Sequence, residues 1–117
     1  MRPEVLLLGE MIDAAEQAQS LVAGVDLQEL EVDRLRRDAL LWNFTVLGEA
    51  STQLDEAFKS QFPNVDWARP AQLRNRIVHG YWSVDLEILH TTATDLLPSY
   101  VEELRKVLAG SETPTGD

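Results

Sequence analysis

Apolar residues recur at helical spacing along almost the whole chain, and no stretch shows the strict apolar–polar alternation of a half-buried strand. Leu7, Met11, Ala14, Ala18 and Leu21 form one such stripe, and Leu40, Phe44, Leu47 and Leu54 form a second. A third, Leu86, Leu89, Ala93, Leu97, Val101 and Leu104, runs toward the C-terminus. A helix carrying one apolar stripe must bury it against another helix, so the pattern predicts an all-α domain, an antiparallel bundle of about four to five helices. With 117 residues the chain is long enough for a single core and too short for two. Residues 1–109 are expected to form that one domain, and 110–117, which include SETPTGD, have the composition of a disordered tail.

Local signals place the boundaries. Pro3 suits the first turn of a helix ending near Leu21, and Gly24 suits the break after it. Asp26 and Asp33 are helix caps, the second opening a helix through about Leu54 that reaches Phe58 directly or after a kink. Pro63 and Asn64 break the chain, Asp66 caps the next helix and Gly80 sits near its end. The last helix starts at Val84 or Asp85, runs to about Leu108, and should bend at Pro98. Gly48 and Ala50 would let a neighbouring helix come close.

Composition removes several function classes. There is no cysteine, hence no disulfide framework and no thiolate metal site, and with two histidines a His-built metal centre is not expected. No cofactor is expected either. No uncharged run approaches the ~20 apolar residues of a bilayer span, and the N-terminus lacks the features of a signal peptide, so cytoplasmic residence is the expectation. A net charge of −10 argues against general adhesion to nucleic acid or anionic membrane. An anionic ligand must be drawn by a local patch.

One window supplies such a patch. Residues 67–82, WARPAQLRNRIVHGYW, hold three arginines and no acid. At about 100° per residue, Leu73, Ile77, Tyr81, Arg74 and Val78 fall on one arc, and Asn75, His79, Arg76 and Gly80 on the other. Arg74 is thus placed among apolar neighbours, where a charge needs a partner, another subunit or an anionic ligand. Arg74 and His79 are separated by roughly 140° on an unbroken helix. Either the helix ends at Gly80 and His79 swings inward, or a second copy brings its own segment alongside. Together the residue types suit a phosphate chemistry: guanidinium holds phosphate through paired hydrogen bonds, imidazole exchanges protons near neutral pH, and aromatic rings stack on bases. Arg69, Arg76 and Trp82 are the further groups of this patch that could bind the phosphates and bases of a nucleic acid. Arg34, Arg36 and Arg37 read as a solvated face paired with acids such as Asp33, Glu49 as a surface or paired carboxylate, and His90 as structural.

Arg74, four residues, His79, one residue and Tyr81 resemble the R-x4-H-x-Y signature of HEPN domains, in particular the HepT-like ribonuclease toxins. Gly48-Glu49-Ala50, the Pro and Trp67 ahead of the motif, Arg74-Asn75 and the acidic–apolar last helix extend the resemblance from about Pro3 to Leu108. It implies a homodimer whose two motif helices form a metal-independent RNA-cleaving site, with Arg74, His79 and Asn75 as catalytic residues. It also implies the toxin role in a type VII-like toxin–antitoxin module, neutralised by AMP transfer to Tyr81 from a nucleotidyltransferase partner. Two other readings stay open on the residues alone: a non-catalytic nucleotide-binding or helical interaction module, and a purely structural dimerisation domain.

Overall fold

A computed structural model describes residues 3–112, and among them the only regular structure is helical. Helix α1 (Pro3–Val22) ends at Gly24, whose φ of 71° places it in the left-handed region that an L side chain resists. A short helix α2 (Leu27–Val32) follows, closed by a reciprocal capping box between Asp26 and Glu29. Asp33 then accepts from the Arg36 amide and opens α3 (Arg34–Gln53). Leu54 turns extended (ψ 138°) and buries its side chain, so α4 (Glu56–Ser60) is a separate turn of helix rather than a continuation of α3.

Helix α5 (Ala68–Gly80) carries the motif. Its start is fixed from three sides. The Asp66 carboxylate accepts from the Arg69 amide, the fully buried Ser51 hydroxyl donates to the Trp67 carbonyl, and the Tyr100 hydroxyl donates to the Asp66 carbonyl at 2.8 Å. Phe58, Phe62 and Trp67 close that end as an aromatic cluster, with Trp67 Nε1 donating to the Phe62 carbonyl.

After a 3₁₀ turn at Tyr81–Ser83, Asp85 caps α6 (Leu86–Thr91), which continues through a π turn at Thr92–Leu96 into α7 (Leu97–Glu112). The Leu97 amide donates to Thr92, five residues back. This widened turn lies where the Pro98 ring would otherwise meet the carbonyl four residues before it, so the expected bend takes the form of a π turn. Helix α7 takes up 110–112 of the segment expected as tail; 113–117 lie outside the described residues.

The core is one cluster, with Leu8, Met11, Ile12, Ala15 and Val22 of α1 against Leu40, Phe44 and Leu47 of α3 and Leu89, Leu97 and Leu104 of the last rod. On α1 the buried face is rotated slightly from the expected stripe: Leu7 and Leu21 are only half-buried, while Leu8, Ile12 and Val22 are inside. Helix α1 lies between α3 and α7, and α5 packs chiefly on the far side of α3. His90 reaches the Val25 carbonyl at 2.6 Å and ties α6 to the α1–α2 corner, a structural role as expected. No helix of the described residues is long and apolar enough to cross a membrane.

Candidate active site on the motif helix

The approach of α5 to α3 depends on Gly48. A Cβ at that position would stand 2.3 Å from both the Arg74 Cβ and the Pro70 carbonyl oxygen. Close backbone contact therefore sets Arg74 beside Glu49, the next residue on α3. Arg74 Nη2 lies 3.2 Å from Glu49 Oε1, and its Nη1 donates to the Asn75 side-chain oxygen at 2.9 Å. The Arg74 side chain is 31% exposed, and its buried Nε has no hydrogen-bond partner. An unsatisfied buried donor costs about 1–3 kcal/mol, so the guanidinium is not in its best possible environment. The Glu49 bridge is itself half exposed, and ion pairs of that kind contribute little in water. A phosphate, which accepts two parallel bonds from guanidinium, can displace it.

The remaining motif residues lie outward. His79 is exposed on the last turn of α5, and the helix runs unbroken past it to Gly80. Within one chain it does not turn inward. The expected arc also needs correction. Ile77 and Gly80 are buried with Leu73 and Pro70 beside them, while Val78 and Tyr81 are exposed. Two causes account for this: the core-facing arc is centred between Leu73 and Ile77 with Arg74 at its margin, and Tyr81 already belongs to the 3₁₀ turn, whose tighter winding redirects its ring. Tyr81 is 61% exposed and packs edge-on against Trp82, which is 76% exposed, at 5.3 Å between ring centres. The hydroxyl of Tyr81 is thus reachable from solvent, two residues beyond His79.

The structure brings Arg74, Asn75 and Glu49 together, and sets Tyr81 against Trp82 just past His79 at the helix end. It does not join Arg69 and Arg76 to either group. Both line a separate cleft between α5 and the last rod, Arg69 paired with Asp66 at 3.6 Å and Arg76 exposed with no ion pair among the described residues. Arg36 pairs with Asp33 and Arg34 with Asp38, and Arg37 donates to the Glu31 carbonyl, consistent with a supporting role. Asp33, which caps α3, is held below the usual carboxylate range by the Arg36 amide hydrogen bond, with help from the guanidinium. Among the described residues no group of three or more His, Asp or Glu side chains is placed to hold a metal ion.

One feature lies outside the motif. On α3, Leu35, Trp42, Val46 and Glu49 fall within about 60° of arc at 100° per residue, and the first two are 85% and 65% exposed. Leu35 and Trp42 therefore form an exposed apolar face on α3 toward the Arg74–Glu49 pair, with Val46 partly buried against the core between, and Val78 is exposed on α5. The signal was available: the stripe repeats at helical spacing opposite Leu40, Phe44 and Leu47, which are buried.

Fold and site define a helical-bundle protein that presents an Arg–His–Tyr motif helix at an open, partly apolar face. The family described as ribonuclease HepT-like matches residues 11–107, and the chain belongs to that family. Among its relatives, a Thermococcus cleftensis protein named "Probable ribonuclease HepT" is 26% identical over 102 residues, covering 85% of this chain and 93% of the relative. A Methanocaldococcus jannaschii protein named a "Putative RNase" is likewise 26% identical, over 100 residues, covering 86% and 92%. No solved structure gives a significant match.

Proposed function

We propose that the chain is the toxin of a type VII-like toxin–antitoxin module, a metal-independent endoribonuclease that acts as a homodimer and is neutralised by AMP transfer to Tyr81. The observation that carries this reading is the position of Arg74: a cation with a displaceable partner, at the end of an apolar face that one chain leaves uncovered. A second copy laid along Leu35, Trp42 and Val78 covers that face. It also supplies what a single helix cannot, a histidine facing the first copy's arginine.

RNA carries its own nucleophile. In the proposed reaction the 2′-hydroxyl loses its proton to the His79 imidazole of one protomer and attacks the adjacent phosphorus. The bond to the 5′-oxygen breaks, and the other protomer's His79 protonates that leaving oxygen. The products are a 2′,3′-cyclic phosphate and a free 5′-hydroxyl. Arg74 offsets the charge growing on the phosphate oxygens, and Asn75, already bonded to Arg74, keeps the guanidinium aimed. Tyr81 borders the RNA path. Its hydroxyl attacks the α-phosphate of ATP bound by a nucleotidyltransferase partner, losing its proton and releasing pyrophosphate. The added AMP places negative charge and bulk beside His79 and the other protomer's Arg74, which blocks RNA.

Cleavage of a labelled RNA by wild type and His79→Ala tests the reading. A positioned proton donor or acceptor typically contributes about 10²–10⁴-fold, and a loss of that order is expected, with activity persisting in EDTA and a 2′-deoxy sugar at the scissile position blocking the cut. Intact mass after co-expression with the partner should rise by AMP units in wild type and not in Tyr81→Phe. Full activity in His79→Ala would leave the non-catalytic binding module as the better account.

A further inference from the structure

Helix α5 packs chiefly on α3, and beside that contact a cleft of about 410 Å³ opens between α5 and the α6–α7 rod, above α3. Its floor is apolar, formed by Phe44, Leu73 and Leu97. A cavity of this size with an apolar floor and a few polar groups on its rim matches the general form of a small-ligand site. One rim is cationic, with Arg76 and Arg69 spaced seven residues apart on one face of α5. The opposite rim carries Thr92 and Glu103. Tyr100 lies between, its hydroxyl held by the Asp66 carbonyl, so its ring stands as a fixed wall.

The wall by Thr92 and Leu96 is the π turn itself. Such turns are frequent at functional sites because they re-aim side chains.

The cleft connects to the motif by the surface of α5. At about 100° per residue, the outward arc of the helix runs from Arg74 through Asn75 and His79 to Gln72 and then Arg76 and Arg69. Arg76 lies only about 4.5 Å along the axis from His79 at 1.5 Å per residue. A single strand whose scissile phosphate lies at Arg74 and His79 therefore passes Arg76 next.

We propose that this cleft is a base-specificity pocket that receives one unstacked guanine of the RNA, a few nucleotides from the cut. This rests on the ribonuclease reading above. The strand passes Arg76 and reaches Arg69, whose guanidinium takes the flanking phosphate near the Tyr100 end of the cleft, and the base enters between the apolar floor and the Tyr100 ring. Unstacked bases in single strands are commonly read in this manner, on their Watson–Crick edge and by stacking. Glu103 selects the base. An ionised carboxylate only accepts hydrogen bonds, and the guanine edge offers two adjacent N–H donors, whereas adenine and uracil turn an acceptor toward it. Glu103 is thus the specificity-determining residue, and the arginines position the strand.

The test uses full-length protein and short fluorescein-labelled 2′-O-methyl uridine strands, which resist cleavage, each with one central guanosine, adenosine or cytidine. A bidentate base contact discriminates by about 1–3 kcal/mol, so the guanosine strand should bind roughly tenfold or more tightly than the others. Glu103→Gln should erase that preference while retaining binding to the uridine background. Leu96→Trp, which fills the mouth of the cleft from an exposed position, should do the same, with helix content checked by circular dichroism. Strong binding without base preference, or a preference that survives both variants, overturns the pocket and leaves the ribonuclease reading standing. No binding of any strand overturns both.

Discussion

Gly48 and Arg74 meet so closely that a methyl group on the glycine would sit 2.3 Å from the arginine Cβ. The same methyl would also strike the Pro70 carbonyl oxygen at 2.3 Å, and a backbone atom in a helix cannot step aside cheaply. Gly48→Ala must push α5 away from α3. Overpacking of this kind costs about 1–3 kcal/mol, although alanine is otherwise the better helix former. Urea denaturation should show the loss. Because Arg74 is carried on the displaced helix, RNA cleavage should fall further than stability does. A Gly48→Ala protein of unchanged stability and activity would show that the contact between these helices is looser than the geometry indicates.

Glu49 competes with RNA for the same cation. With Oε1 at 3.2 Å from Arg74 Nη2, its charge offsets that of the guanidinium until a phosphate displaces it. Glu49→Gln removes the competing charge yet keeps the shape. Binding of a non-cleavable RNA should tighten several-fold at low salt, with a steeper salt dependence because one more cation is free for phosphate. Weaker binding in Glu49→Gln would mean that the carboxylate organises the site and does not shield it.

Trp42 tests the homodimer. It is 65% exposed in the middle of the α3 stripe, too large an apolar group to leave without a role beside Leu35 at 85%. Trp42→Glu places a charge at the centre of the proposed interface and touches no core residue. Sedimentation should shift from dimer to monomer at micromolar concentration, helix content should stay, and cleavage should be lost. If Trp42→Glu remains dimeric and active, the second copy docks elsewhere and the composite site loses its support.

Much of this was legible in the chain and some was not, for physical reasons that differ by residue. Asp26, Asp33, Asp85 and Pro98 act locally, through their own backbone neighbourhood, so they marked helix starts and the distorted turn within a residue or two. The glycine in Gly48-Glu49-Ala50 signalled a close approach without naming what approaches, because that depends on α5, some twenty-odd positions away in sequence. Tyr81 was placed on the buried arc because the rotation of 100° per residue was carried one position past the helix end. Arg69 and Arg76 looked like part of one basic patch with Arg74, since composition counts charges and not faces. On the folded helix they stand across its outward arc, on a cleft whose other wall, Thr92 and Glu103, comes from a part of the chain that gave no signal of it.

Tyr100 gives a prediction in pH. Burial, reinforced by the neighbouring charges of Asp66 and Glu103, raises its phenol well above the ordinary value of 10.0. The protonated hydroxyl is also the form that donates to the Asp66 carbonyl at the start of α5. Above pH 10 the unfolded chain releases this proton while the folded chain keeps it. Stability contributed by Tyr100 is therefore complete below that pH and declines as the pH rises beyond it. Tyr100→Phe keeps the ring and removes both the hydrogen bond and the titration. At neutral pH it should lose about 1 kcal/mol, the usual net value of one hydrogen bond. Between pH 10 and 11 the gap between wild type and Tyr100→Phe should narrow, because wild type alone carries this source of alkaline destabilisation. Chemical denaturation of both proteins across that range measures the gap directly. A gap that widens with pH would mean that the phenol ionises more readily in the fold than in the open chain, and the Asp66 tether could not then be holding its proton.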